Sequence, residues 1–327
     1  MKHVVAATLD SIADYTMVDV PAPVPEPGTV LVRVGACGVG YVDALVSLGR
    51  YQVKPPLPHV PGQEVGGRVE ALGAGVHGLA VGDRVMAQVR GGFAELAIAQ
   101  AGSVLRIPDR MAFAQAAGFR VNYVTALHGL RERARLAVGE TLVVLGAAGG
   151  VGSAAIQVGK QMGARVVAVA STPEKQAFAL QMGADHAIES TADGFRDRLK
   201  AVCGQQGPDV VFDPVCGPLF EPAFRSLGWR GRHLVVGFAG GPIPALPANL
   251  PLLKGAALVG VDVRQFFLYE TELAAAHLSE LLGWVGDGVL TPPVGREFAF
   301  DEFVPALEYA LSGKGQGKTI LRVCADL

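Results

Sequence analysis

The stretch from Thr141 to Ser171, TLVVLGAAGGVGSAAIQVGKQMGARVVAVAS, constrains the fold more than any other part of the chain. An apolar run from Leu142 to Leu145 leads into a glycine-rich turn from Gly146 to Gly152. A helical pattern then carries Ala155, Ile156, Val158 and Met162, and a second apolar run spans Val166 to Ala170. Strand, turn, helix, strand in that order is a right-handed βαβ crossover of about thirty residues. Glycines in such a turn let the backbone approach a pyrophosphate closely, and the helix N-terminus offers its N–H groups to the phosphate charge. The usual G-x-G-x-x-G appears as Ala147-Ala148-Gly149-Gly150-Val151-Gly152, with alanine in the first glycine slot. Its place after a strand and at the opening of a helix separates a nucleotide site from an ordinary turn. Ala148, Gly149, Gly150, Val151 and Gly152 are therefore expected at the phosphates.

A chain of 327 residues, half of them hydrophobic, can bury a sizeable core and suggests two domains. Its formal net charge of −2 and the lack of a long basic run argue against a dedicated nucleic-acid binder. Cys37, Cys203, Cys216 and Cys324 lie far apart with no C-x-x-C pair. That spacing suits neither a zinc ribbon nor a disulfide framework, and it fits a reducing compartment. No charged-then-apolar leader opens the chain, and no run of about eighteen apolar residues appears in it. The expectation is a soluble cytoplasmic protein without a membrane segment.

Residues 1 to about 115 read as β-rich. Val4, Val5 and Ala7 open a strand, and Val30, Val32 and Val34 alternate after the turn Pro25-Glu26-Pro27-Gly28. Glu64 to Leu72, Asp83 to Val89 and Phe93 to Ile98 are further short strands between glycine-rich turns, a spacing that suggests a small barrel or folded-over sheet. Val42 to Leu48 forms one short helix. From Met111 the pattern changes to one helical stretch through Ala114, Ala117, Val121 and Leu130. Strands and helices then alternate as far as the strand Ala257 to Val263, which makes an α/β, doubly wound parallel sheet. The segment after about residue 265 carries a long helix, Glu270 to Trp284, and is read as returning to complete the N-terminal unit. The domain reading is thus 1–118 with 266–327, and 119–265 between them.

Several segments in one order resemble the medium-chain dehydrogenase/reductase superfamily, and most closely its zinc-free quinone oxidoreductase (zeta-crystallin-like) branch. They are Gly35-Ala36-Cys37-Gly38-Val39, Gly49-Arg50-Tyr51, Pro55-Pro56-Leu57-Pro58, Pro61-Gly62-Gln63-Glu64, Val81-Gly82-Asp83-Arg84-Val85, Ala147 to Gly152, and Gly183-Ala184-Asp185. The resemblance implies a GroES-like catalytic domain built from both chain ends, a Rossmann domain between them and a cleft where they meet. Zinc enzymes of the superfamily place a catalytic cysteine at the position of Cys37, a histidine at that of Gln63 and a third ligand near Asn122 and Tyr123. Glutamine cannot replace an imidazole at tetrahedral zinc, which needs about three strong protein ligands plus water. No metal is expected, and Cys37 reads as a small buried residue.

An NAD-specific site has an acidic residue near the end of the second strand, about twenty residues after the glycine turn. Ser171-Thr172 stands there instead, with Lys175 beyond it. A hydroxyl and an ammonium suit a ribose 2′-phosphate, so NADPH is the expected cofactor. The same residues also read as a helix start, with Ser171 or Thr172 capping before Pro173. By resemblance Lys314 or Lys318 reaches the same phosphate, and Gly237, Phe238 and Ala239 pass beside the nicotinamide. The family places Tyr51, Gln63, Asn122, Tyr123 and Thr125 near nicotinamide or substrate. Hydride transfer to a quinone or enone needs orientation, a donor for the developing oxyanion and exclusion of water. Tyr51 is that donor or a packing residue. Asn122 and Thr125 are cofactor ligands or helix caps, and Gln63 is a site residue or a strand-entry residue.

The branch usually has asparagine, facing the active site, where this chain has Gly40; the glycine removes the amide and is expected to open space there. The resemblance therefore implies NADPH-dependent hydride transfer to a quinone or similar conjugated acceptor. Two alternatives stay open: an enone, enal or enoyl-thioester reductase, and an NADPH-binding structural, sensing or RNA-associated protein with little turnover. By the same resemblance a homodimer forms through the edge strand Ala257 to Val263, since an exposed apolar edge needs cover.

Overall fold

The computed structural model describes residues 1–324 and Leu327, which fall into two compact units. Met1–Arg120 with Thr291–Leu327 make the first, and Val121–Leu290 the second. The first unit opens with the antiparallel pair β1 (Lys2–Val5) and β2 (Thr16–Asp19). Its main sheet is organised on β3 (Thr29–Val39), whose valines Val30, Val32 and Val34 are fully buried as their alternation predicts. After β3 come the helix α1 (Tyr41–Ser47), then β4 (Glu64–Leu72), β5 (Arg84–Gln88), β6 (Leu96–Gln100) and β7 (Val104–Arg106). β3 pairs antiparallel with β4 along one edge and with β6 over Thr29 to Arg33.

The single helix predicted beyond Met111 is broken. It consists of α2 (Phe113–Ala116), α3 (Arg120–Leu127) and a π-helical turn, His128–Arg133. Gly118 marks the break, where a Cβ would come within 2.8 Å of the Lys318 side chain.

The second unit alternates as expected: β8 (Thr141–Val144), α4 (Gly150–Gln161), β9 (Arg165–Ala170), α5 (Pro173–Gln181), β10 (His186–Glu189), α6 (Phe195–Cys203), β11 (Val210–Asp213), α7 (Phe220–Ser226), β12 (Arg232–Val235), α8 (Asn249–Lys254) and β13 (Ala257–Gly260). All strands are parallel, in the order β10-β9-β8-β11-β12-β13. Val143, Val167, Val211, Phe195, Leu199 and Phe224 form its core.

Two helices follow, α9 (Val263–Tyr269) and α10 (Thr271–Gly286). Here the structure corrects the domain reading, because residues 266–290 belong to the second unit. Phe266 stacks on His128 with centroids 4.0 Å apart, and Arg131 pairs with Glu280 at 2.6 Å. The π-helical turn thus supplies the surface that α9 and α10 bury. Only β14 (Val294–Ala299), α11 (Phe303–Leu311) and β15 (Lys318–Arg322) return to the first unit, where β15 pairs antiparallel with the second half of β3.

Candidate dinucleotide site and a buried charge cluster

β8 and β11 are neighbours in the sheet although two strands separate them in sequence. The strand order reverses direction there, and an open α/β sheet takes its ligand at the carboxyl ends of such a pair. The glycine turn leaves β8 at this point. Gly146 has φ +56°, a left-handed conformation that glycine adopts without strain, and its carbonyl accepts from Gly149 N at 3.0 Å. α4 begins at Gly150 with Gly149 as its N-cap and no side chain closing the turn. Its first N–H groups are therefore left for an anion. A Cβ on Gly152 would overlap the Gly146 carbonyl oxygen and come within 2.9 Å of Ala147 Cα, so only glycine lets helix and strand approach this closely. A Cβ on Gly150 would lie 2.7 Å from Asn122 Nδ2. The structure brings Asn122, on α3, against the first turn of α4. The cradle therefore fits a pyrophosphate. Ala148 is buried within it and Val151 is half-buried.

Asn122, Tyr123 and Thr125 are all buried on α3. Burial pushes the Tyr123 phenol up, against the pull of the Gln157 amide. Ser171 and Thr172 separate in role. Thr172 is the N-cap of α5, its Oγ1 accepting from Lys175 N at 3.3 Å, and Pro173 takes the first helical position. Ser171 stays exposed at the end of β9. Lys175 is half-buried one turn into α5, and burial lowers its pKa.

Gly237, Phe238 and Ala239 follow β12 and lie against the loop after β11. Ala239 N donates to Pro214 O at 3.4 Å and Gly240 N to Val215 O at 2.7 Å, while Phe238 is 37% exposed. Beneath that loop sits a fully buried pair that sequence reasoning passed over, Asp213 and His233, with Oδ2 and Nε2 3.1 Å apart. Its one sequence signal was a carboxylate ending an apolar strand.

In the first unit, Tyr51 is half-buried in the irregular segment between α1 and β4, and Gln63 is exposed at the entry to β4. Cys37 is completely buried, and burial holds its thiol well above the ordinary cysteine value. Cβ atoms on Gly62 and Gly92 would lie 2.7 and 2.8 Å from its Sγ, so both glycines are cleared for sulfur. Among the described residues no group of three or more His, Cys, Asp and Glu side chains could hold a metal ion.

Lys314 is exposed. Lys318, expected by resemblance at the same phosphate, is paired with carboxylates of its own unit. Its ammonium is buried within the first unit, 3.6 Å from Glu64 Oε2, and its stem runs over Gly118 and Gly38. Burial opposes its charge, but Glu64 and Asp43 outweigh that and hold its pKa above the ordinary lysine value. Asp43 Oδ2 accepts from Gly40 N at 2.7 Å; burial pushes its carboxyl up, against the pull of Lys318. The space expected at Gly40 is therefore filled. A Cβ there would lie 3.0 Å from Lys318 Nζ and 3.1 Å from Asp43 Oδ2.

Two family models match the chain, "Alcohol dehydrogenase GroES-like domain" over residues 26–109 and "Zinc-binding dehydrogenase" over residues 150–280. Among curated relatives, the rat quinone oxidoreductase-like protein 2 is 34% identical over 98% of this chain and 92% of its own. The human quinone oxidoreductase is 32% identical over 93% of this chain and 92% of its own. A solved quinone oxidoreductase from Thermus thermophilus, described alone and in complex with NADPH, is 34% identical with a TM-score of 0.86, covering 99% of this chain and 100% of that one. With the parallel sheet, the glycine cradle and the GroES-like match, these place the chain in the medium-chain dehydrogenase/reductase superfamily, in its quinone oxidoreductase branch.

Proposed function

We propose that this protein is a zinc-independent reductase that uses NADPH to deliver hydride to a quinone or a similar conjugated acceptor. The observation that carries the reading is the cradle of Gly146, Gly149, Gly150 and Gly152 with the Asn122 amide against it. Bound NADPH supplies the hydride. The chain's own groups do the rest. The first turn of α4 binds the pyrophosphate, and Asn122 and Thr125 orient amide and hydroxyl groups of the dinucleotide. Ser171 and Lys175 stand where an NAD-specific carboxylate would exclude a 2′-phosphate; neither repels one. The exposed Lys314 is a further candidate for that phosphate. Gly237, Phe238 and Ala239 flank the nicotinamide, and Phe238 helps exclude water. Tyr51 is the proposed proton donor to the acceptor oxygen, with Gln63 and Tyr123 contributing to the acceptor's surroundings. Zinc independence rests on chemistry: a single cysteine, Cys37, with an amide rather than an imidazole at Gln63 makes a poor ligand set for tetrahedral zinc.

The printed names of the relatives and the NADPH complex of a 34% identical neighbour support cofactor and acceptor class. All four cysteines are free, which supports a reducing, cytoplasmic setting. No described helix is long and apolar enough to cross a membrane. β13 lies at the edge of its sheet with exposed Leu258, which supports a homodimer formed across that edge. The test is NADPH and NADH oxidation against quinones, enals and unsaturated thioesters, with Tyr51→Phe as a control. NADH turned over as efficiently as NADPH would overturn the cofactor assignment; tight NADPH binding without consumption would favour a sensing or structural role.

A further inference from the structure

Asp213 is fully buried at the carboxyl end of β11. Oδ1 accepts from Val215 N at 2.9 Å and from Cys216 N at 2.7 Å. Oδ2 faces His233 Nε2 at 3.1 Å. A carboxylate oxygen accepts, so Nε2 is the donor of this contact, and the buried Nδ1 has no hydrogen-bond partner among the described residues. The imidazole itself is held in place. Phe220 meets its edge at 4.9 Å between centroids and Phe224 stacks on it at 6.1 Å, both from α7.

The loop that Asp213 ties down touches both segments proposed to hold the dinucleotide. On one side, Val215 Cγ2 stands 2.8 Å from where a Cβ on Gly146 would be, so its methyl packs under the phosphate turn. On the other, Val215 O and Pro214 O accept from Gly240 and Ala239, and the backbones of Gly217 and Gly240 pass too closely for a Cβ on Gly240, which would meet Gly217 Cα at 2.7 Å. Cys216, inside this loop, is held at φ +45°, a conformation a non-glycine residue adopts only when its surroundings impose it. Cys216 is tied to Asp213 twice, its N–H donating to the carboxylate at 2.7 Å and its Sγ to the Asp213 carbonyl at 3.5 Å. The strained residue, the phosphate turn and the nicotinamide-side loop thus share one anchor.

We propose that Asp213 and His233 are positioning residues for cofactor binding: through the loop Pro214–Gly217 they set Gly146 and Gly237–Gly240 in register for one dinucleotide. The pair touches no ligand itself. The inference rests on the dinucleotide reading of the second unit.

The experiment measures the NADPH dissociation constant of the full-length protein by the change in cofactor fluorescence, alongside acceptor kinetics and thermal unfolding. His233→Leu removes the donor to Oδ2 and is expected to weaken NADPH binding about tenfold, with the acceptor KM within about twofold of wild type, as the loss of one hydrogen bond to a charged group predicts. His233→Gln restores an N–H toward Asp213 and should return the constant to within about threefold. Asp213→Asn keeps an oxygen for the loop N–H groups but sets an amide against the imidazole N–H; a weakening of about threefold is expected, and this variant carries the test should His233→Leu fail to fold. A folded His233→Leu or Asp213→Asn with lowered thermal stability but unchanged NADPH affinity would overturn the proposal, as would failure of His233→Gln to rescue. Wild-type protein that binds neither NADPH nor NADH would instead overturn the dinucleotide reading, and this inference with it.

Discussion

The Lys318 ammonium lies 3.6 Å from Glu64 Oε2, inside the first unit, with the Asp43 carboxylate beside it. A lysine and two acids are almost never fully buried unless they satisfy one another. Here the lysine stem is accommodated because Gly38, Gly40 and Gly118 lack side chains along its course. Gly40 is thus coupled to a cation from the last strand, β15.

Placing an amide at Gly40 should be costly. Gly40→Asn introduces a Cβ 3.0 Å from Lys318 Nζ and 3.1 Å from Asp43 Oδ2, with the rest of the side chain still to be placed. The expected loss is about 1–3 kcal/mol in denaturant unfolding, the usual range for overpacking. The double variant with Lys318→Ala should recover part of it, as the two sites share one space.

Stability should fall in acid through His128. Burial, then the charges of Arg133 and His277, hold its pKa down from 6.5 to about 4, while Glu132 pulls the other way. A base with a depressed folded pKa binds fewer protons folded than unfolded, so stability is full above pH 6.5 and is lost as pH falls toward 4. His128→Phe keeps the stack on Phe266 and removes the titration. The stability lost between neutral pH and pH 4 should shrink by about 2 kcal/mol in the variant, read from urea unfolding at each pH.

Gly152→Ala should damage cofactor binding and fold together. Its methyl would overlap the Gly146 carbonyl, so the turn must open. An NADPH affinity lower by about tenfold or more is expected in fluorescence titration, with a stability loss of about 1–3 kcal/mol. An unchanged affinity would contradict the cradle.

The oligomer prediction turns on one N–H. Ala257 N donates to Gly231 O, just before β12, and Val261 N to Val235 O, so Leu258 N, out of phase by one residue, faces the free edge of β13. Leu258→Pro leaves the pairing with β12 intact and blocks strand addition across the edge. Light scattering should give a dimer for the 33.9 kDa wild-type chain and a monomer for the variant.

Local order was readable in the sequence because it is written in short-range periodicity. Valines alternating in β3 and the strand–turn–helix around Gly150 each depend on neighbours within a few residues. The N-cap at Thr172 was likewise legible from Pro173 beside it, although Ser171 competed for the role. β13 was shorter than its apolar run because it ends where the chain turns into the Asp262 cap of α9.

What the tertiary structure alone decided were the meetings of residues far apart in the chain. The domain boundary moved to Leu290 because Phe266 and Glu280 found partners on the π-helical turn, which no periodicity announces. Lys318, 254 positions from Glu64, met a buried carboxylate, and with that filled the space beside Gly40. Asp213 and His233 met across two neighbouring strands and joined two cofactor loops. Hydrophobic pattern and turn chemistry act locally and so are visible in one dimension. Buried charge must be paired wherever a partner can be found, and that partner is chosen in three dimensions.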